Sequence, residues 1–123
     1  AIEFISNRRA FGQSISDFQG VRWMIADMAI QIAAARNLTY EAATAVDRGI
    51  RGASLAPLAA IAKCFATDTA MKVATDAVQL FGAAGISNEY PINRYFRDAK
   101  VLQIIEGTNQ IQRNIVARSL LTH

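Results

Sequence analysis

Histidine is nearly missing from this 123-residue chain; the single one is the last residue, His123. A histidine-based metal site, or a triad built on an imidazole, is therefore not expected within it, and no metal is assigned. Cysteine is as scarce. Cys64 stands alone, so no internal disulfide can form, and a reducing compartment fits. It lies in an apolar helical pattern with no histidine near it in sequence, which reads as packing and not as a nucleophile. Charge of one sign is also in short supply: the net charge is +3. The arginines are scattered, Arg8–Arg9, Arg48/Arg51, Arg94/Arg97 and Arg113/Arg118 among them. Nucleic-acid binders carry a denser basic face with aromatic platforms, so that class is set aside. No uncharged run reaches the ~18 residues of a membrane span; the longest, 52–62 and 77–88, both contain glycine. The first residues lack a basic stretch followed by an apolar one, so no secretory leader is expected there.

What is present is a folding composition. Hydrophobic residues make up 52% of the chain and charged ones 19%, which suits one domain with a real core. Helical periodicity dominates. Val21, Ile25, Met28, Ile32, Ala35, Thr39, Ala42 and Val46 follow steps of four and three, which predicts one long helix face. Ser16 or Asp17 is placed to cap its start, and Gly49 and Gly52 mark its stop. Pro57 falls where a first helical turn tolerates it. The run that follows, to about Phe81, is apolar on most of its circumference and belongs at the centre of a bundle or in an oligomer interface. Its polar side reads Cys64, Asp68, Lys72, Asp76 and Gln79, and Asp68–Lys72 has the spacing of a helix ion pair. Gly82 and Gly85 end that helix, Pro91 restarts a short one to about Val101, and Thr108 is a candidate N-cap for a last helix to about Leu121. The opening AIEFISNRR reads as the final turns of a helix whose start lies outside the chain. With no alternating strand pattern, the expected class is all-α and four-helix-bundle-like.

The stretch IIEGTNQIQ (104–112) carries the one unusual acid. Glu106 follows two isoleucines and precedes Gly107. A base that must be strong gains from apolar neighbours, because desolvation raises a carboxylate's pKa. Glycine behind it lets the backbone approach a ligand. Taken alone, Glu106 would pass for an acid at a helix start, Arg8 for a surface charge, and Gly82 and Gly85 for a helix stop.

Four segments in order change that balance: RRAFGQSISDFQ (8–19), QLFGAAGIS (79–87), EYPINRYFRDAK (89–100) and IIEGTNQIQRNIVAR (104–118). Over essentially the whole chain they resemble the C-terminal helical domain of the acyl-CoA dehydrogenases. Family members carry two further domains before this one, an N-terminal helical domain and a middle β-domain. The resemblance implies FAD-dependent α,β-dehydrogenation of an acyl-CoA thioester, with Glu106 as the base that removes the α-proton. Ile105 and Gly107 match positions beside the substrate, and Thr108 and Gln110 match positions that contact FAD. Arg8 matches the arginine on the FAD pyrophosphate, with Phe18 and Gln19 as its partners. Gln79, Leu80, Phe81, Gly82 and Ala83 match a turn that reaches the ADP part. In the family these nucleotide contacts come from a neighbouring subunit, which implies a homodimer or dimer of dimers with FAD shared between subunits. An electron-transferring flavoprotein is the implied electron acceptor, with oxygen as the alternative seen in related oxidases. The chain departs from the pattern at Ile105, where many relatives carry an aromatic residue, and at Ala10, Ala83 and Ile86. A rival reading is a non-catalytic helical assembly subunit that completes a partner's FAD site; retention of Glu106 in its IIEGT setting speaks against it.

Overall fold

The computed structural model describes residues 1–121, so His123 lies outside the described residues. Five helices run in the order α1 (Ile2–Asn7), α2 (Gln19–Asp47), α3 (Ala56–Phe81), α4 (Ile92–Leu102) and α5 (Asn109–Leu121). The all-α reading holds, with one addition. Between α1 and α2 a hairpin forms from β1 (Arg9–Ala10) and β2 (Gln13–Ser14), with Arg9 opposite Ser14 and Ala10 opposite Gln13. Strands of two residues are too short to show alternation, so the pattern could not reveal them. The turn could have: Phe11 and Gly12 both take positive φ, 52° and 82°, as a tight two-residue hairpin turn requires. Arg9 secures it by donating from Nη2 to the Gly12 carbonyl at 2.9 Å.

α2 does not use the predicted cap. Its N-cap is Phe18, which makes no side-chain capping bond. Asp17 instead pairs with Arg22 at 3.2 Å, and the Ser16 carbonyl accepts from Arg22 Nε at 2.9 Å. The end of α2 is as expected. Gly49 sits at φ 82°, its N–H donates to the Val46 carbonyl and that of Ile50 to the Ala45 carbonyl, a Schellman closure that satisfies the last carbonyls. α3 carries proline in its first turn and stops at Gly82, whose φ of 59° continues no helix.

α3 is the centre of the molecule and packs against α2, α4 and α5. That position in the bundle accounts for its largely apolar circumference. The buried seam of α2 also differs from the predicted stripe. Val21, Met24, Met28, Gln31, Ala35, Leu38, Ala42 and Ala45 are buried or half-buried, while Ile32, Thr39 and Val46 are exposed. These positions keep a strict seven-residue repeat, the period that holds a seam against a partner helix. At the open end of the bundle Ile5, Met28, Ala77 and Leu80 form a buried cluster, and Phe4 stacks on Phe81 with ring centroids 4.1 Å apart. The polar stripe of α3 is turned inward at its N-terminal half, where Cys64 and Asp68 meet α5. The predicted Asp68–Lys72 pair is not formed: Lys72 pairs with Asp76 at 2.6 Å and Asp68 with Arg113 at 2.6 Å. Among the described residues no helix is long and apolar enough to cross a membrane.

Candidate active site

Residues 103–108 connect α4 to α5 and carry Glu106 at the tip. Ile104 and Ile105 still donate to the Val101 carbonyl as a fading helical turn, at 2.9 and 3.0 Å. The chain then reverses through two left-handed residues, Glu106 at φ 55° and Gly107 at φ 85°. Glycine adopts this region freely, but at a glutamate it costs about 1–2 kcal/mol, so surrounding contacts must hold it.

Those contacts come from below. The Asn109 N–H closes the loop onto the Gln103 carbonyl at 3.0 Å. Gln112 Nε2 donates to the Glu106 carbonyl at 3.0 Å, and Lys63 Nζ, from α3, donates to the Gly107 carbonyl at 2.9 Å. Lys63 also reaches Asn109 Oδ1 at 2.7 Å, which Thr67 Oγ1 shares at 3.1 Å. On its other side Asn109 Nδ2 donates to Asp68 Oδ1 at 2.7 Å. Asn109 is only 3% exposed, so this amide is a buried hub with every polar atom satisfied. Asp68 is the second hub, accepting also from Gln103 Nε2 at 2.7 Å and Arg113 Nη2 at 2.6 Å. Burial alone would raise the Asp68 carboxyl; the bonds from Arg113, Gln103 and Asn109 outweigh it and hold the group below the ordinary aspartate range. Burial pushes the Cys64 thiol up, which keeps it protonated and agrees with the packing reading. Thr108 does cap α5, accepting from the Ile111 N–H at a long 3.4 Å.

With both carbonyls of the tip tied inward, its side chain and amides face out. Glu106 is exposed, as are Ile104 (55%) and Ile105 (45%). The expected drying of Glu106 by its isoleucine neighbours is therefore not supplied within this chain, because no element packs over the loop tip. The amides of Glu106, Gly107 and Thr108 donate to no acceptor among the described residues.

A second place gathers most of the remaining candidates. Arg8, Gln79, Leu80, Phe81, Gly82 and Ala83 line one cleft of about 640 Å³, together with Phe4, Tyr90 and several others. Arg8 and Gly82 are exposed in it, and the Arg8 guanidinium makes no hydrogen bond or ion pair among the described residues. Leu80 is 8% exposed and belongs mainly to the core. Phe18 and Gln19 lie outside this lining; Phe18 packs edge-on against Phe11, with centroids 6.3 Å apart, and Gln19 opens α2. Thr108 and Gln110 line a different cleft of about 450 Å³ above Asp68 and Asn109, and the two clefts share no residue. Lys63, Asp68, Asn109 and Gln112 were not read from the sequence as site residues. Asn109, directly behind the EGT stretch, and Gln112, whose bonds reach back only six and five positions, lay within a local reading; Lys63 and Asp68 act through contacts 44 and 41 positions away.

Among the described residues Glu106 is the one carboxylate-bearing residue at positive φ, on an interhelical loop, and the unpartnered Arg8 guanidinium lies in a separate cleft at the other end of α3. Comparison with known proteins makes this specific. Residues 1–121 match the family model described as acyl-CoA dehydrogenase, C-terminal domain, and the chain belongs to that family. It is 52% identical over 121 residues to a protein of Mycobacterium tuberculosis (strain ATCC 25618 / H37Rv) named "Probable acyl-CoA dehydrogenase FadE25", covering 98% of this chain and 31% of that protein. Among solved structures, butyryl-CoA dehydrogenase from Megasphaera elsdenii superposes with a TM-score of 0.94 at 45% identity, covering 98% of this chain and 31% of the other. The FAD complex of PigA does so at 0.89 and 31% identity, covering 97% and 30%. The chain thus spans about a third of the length of the relatives it matches.

Proposed function

We propose that this chain is the C-terminal helical part of an FAD-dependent acyl-CoA dehydrogenase, with Glu106 as the catalytic base. The observation that carries the reading is the loop tip: a carboxylate held in a left-handed turn by bonds to both carbonyls, its side chain directed away from the bundle. Glu106 takes the α-proton of the acyl thioester, and the electron pair left behind forms the α,β double bond as the β-hydrogen departs with its own pair. FAD, when bound, supplies the acceptor for that hydride. Negative charge develops on the thioester oxygen, and the Glu106 amide, which has no acceptor of its own among the described residues, is available to it. Ile105 and Gly107 flank the substrate. The remaining domains of the complete protein would cover the tip and exclude water from it, since the exposed isoleucines provide an apolar surface for such a cover.

The residues present fit the cofactor. An unpaired, always-charged guanidinium beside aromatic rings and an open glycine suits a diphosphate. Arg8 and Gln79–Ala83, with Phe18 and Gln19, hold the nucleotide end, and Thr108 and Gln110 the flavin end. The family resemblance implies that one chain serves two FAD molecules, its own and that of a neighbouring subunit; that the two clefts share no lining residue supports this reading. A homodimer or dimer of dimers follows, with an electron-transferring flavoprotein as the electron acceptor. The test is Glu106→Gln in the complete protein. FAD should stay bound while anaerobic flavin reduction by acyl-CoA slows by ~10³-fold or more, the upper part of the general-base range. Bleaching at near wild-type speed would remove Glu106 from the base role.

A further inference from the structure

The mechanism needs the carboxylate of Glu106, but a dense polar network lies one layer beneath it and meets the loop through the Glu106 and Gly107 carbonyls, not through that carboxylate. Lys63 is the odd member. It rises from α3, is half-buried, and spends its donors on two neutral acceptors, the Gly107 carbonyl at 2.9 Å and Asn109 Oδ1 at 2.7 Å. It forms no salt bridge among the described residues; Asp68, five positions further along the same helix, is occupied by Asn109, Gln103 and Arg113. A half-buried cation without a carboxylate partner is costly unless its hydrogen bonds do specific work. Gln112, 9% exposed, is committed in the same way, with Nε2 on the Glu106 carbonyl at 3.0 Å and the Gly107 carbonyl at 3.4 Å.

We propose that Lys63 of α3 and Gln112 of α5 are the positioning residues for Glu106, gripping the two successive carbonyls of the left-handed turn so that the carboxylate is presented at a fixed place above the bundle. This rests on Glu106 being the base. The peptide planes on either side of Gly107 have their orientation set by where these two carbonyls point. With Glu106 Cα fixed between one gripped carbonyl and the fading turn of α4, few directions remain for its side chain. Releasing either carbonyl lets a glutamate in an unfavourable φ region relax toward negative φ, which swings the carboxylate away. A misplacement of about 1 Å at a reacting group is sufficient for a 10²-fold rate loss. Neither residue touches the reacting atoms, so the effect should fall on the rate of proton abstraction and not on cofactor or substrate affinity.

The experiment uses the complete, FAD-loaded protein in anaerobic stopped flow with an acyl-CoA, reading the first-order rate constant of flavin bleaching. That constant is a per-site quantity: unfolded or empty protein lowers the amplitude and leaves it unchanged, so a merely structural role would not move it. Lys63→Met keeps the aliphatic stem and removes the donors; the rate constant should fall ~10- to 100-fold with substrate affinity within about threefold of wild type. Lys63→Arg, which retains charge and donors, should recover part of the loss. Lys72→Met, on the same helix but paired with Asp76 at the surface, should change nothing. Should Lys63→Met fail to load FAD, Gln112→Met, close in volume and lacking the donor to the Glu106 carbonyl, reads the same quantity with the same expectation. A wild-type rate constant in the loaded Lys63→Met protein, or in Gln112→Met where that one is used, overturns the proposal. Glu106→Gln run alongside separates the two readings: if it bleaches at wild-type speed the base assignment fails, whereas a silent Glu106→Gln with a fast Lys63→Met leaves the base and removes only its positioning.

Discussion

Gly107→Ala offers a measurement of how tightly the loop is supported from below. A Cβ at Gly107 would lie 2.8 Å from Gln112 Nε2, a distance that real side chains do not keep, and the backbone there is at φ 85°. Two costs add. The left-handed conformation costs an alanine about 1 kcal/mol relative to glycine. Moving Gln112 aside breaks its bond to the Glu106 carbonyl and leaves a mostly buried amide without that partner, about 1–3 kcal/mol more. The expected destabilisation is about 2–4 kcal/mol. Gly49→Ala is the control, since φ is 82° and nothing lies within 4 Å of the added Cβ; it should cost only about 1 kcal/mol. Urea denaturation followed by far-UV circular dichroism measures both, and a constant slope with denaturant shows that only stability has changed. The decisive comparison is a double-mutant cycle. On a Gln112→Ala background the clash is gone, so Gly107→Ala should fall to the Gly49 value, giving a coupling of about 1 kcal/mol or more. Equal costs of Gly107→Ala with and without Gln112 would refute the close packing of that amide under the loop.

Arg8→Ala in the complete protein should weaken FAD binding ~10- to 100-fold, as expected for one charge-assisted contact of about 1.5–3 kcal/mol, read by flavin absorbance after dialysis; unchanged retention would take Arg8 out of the cofactor site. Ile105→Tyr should shift kcat/KM among straight and branched acyl-CoAs by a graded amount, of the order of the ~1–3 kcal/mol that a pocket gains from one methylene; an unaltered profile would mean that this side chain does not line the acyl channel. Asp68 is held below its ordinary range in the folded protein, so its contribution to stability is present above the unfolded value near pH 3.9 and is lost as pH falls through the lower folded value. Asp68→Asn should accordingly flatten the loss of stability below about pH 4 in acid-unfolding curves, and an acid limb as steep as that of wild type would show that other carboxylates set it.

What the sequence determined by itself was whatever local chemistry decides. Gly49 and Gly82 stop helices because their φ values suit no side chain, Pro57 opens one, and Thr108 caps one. The ordered segments around Arg8, Gln79 and Glu106 were also legible, since a motif is carried by neighbours in the chain. The tertiary structure decided what depends on a partner. Met24 joins Ile25 against the core, and Gln31 and Leu38 take the seam of α2 in place of Ile32 and Thr39, as steps of three and four are equally helical and only the winding of α3 selects between them. Asp68 could be paired from sequence only with its near neighbour Lys72, yet it takes Arg113 and Asn109, which lie 45 and 41 positions away. The same holds for Lys63, an unremarkable cation in the sequence that becomes the support of the Glu106 loop. Bonds of this kind leave no trace in a local pattern, because their geometry exists only once α3 and α5 lie side by side.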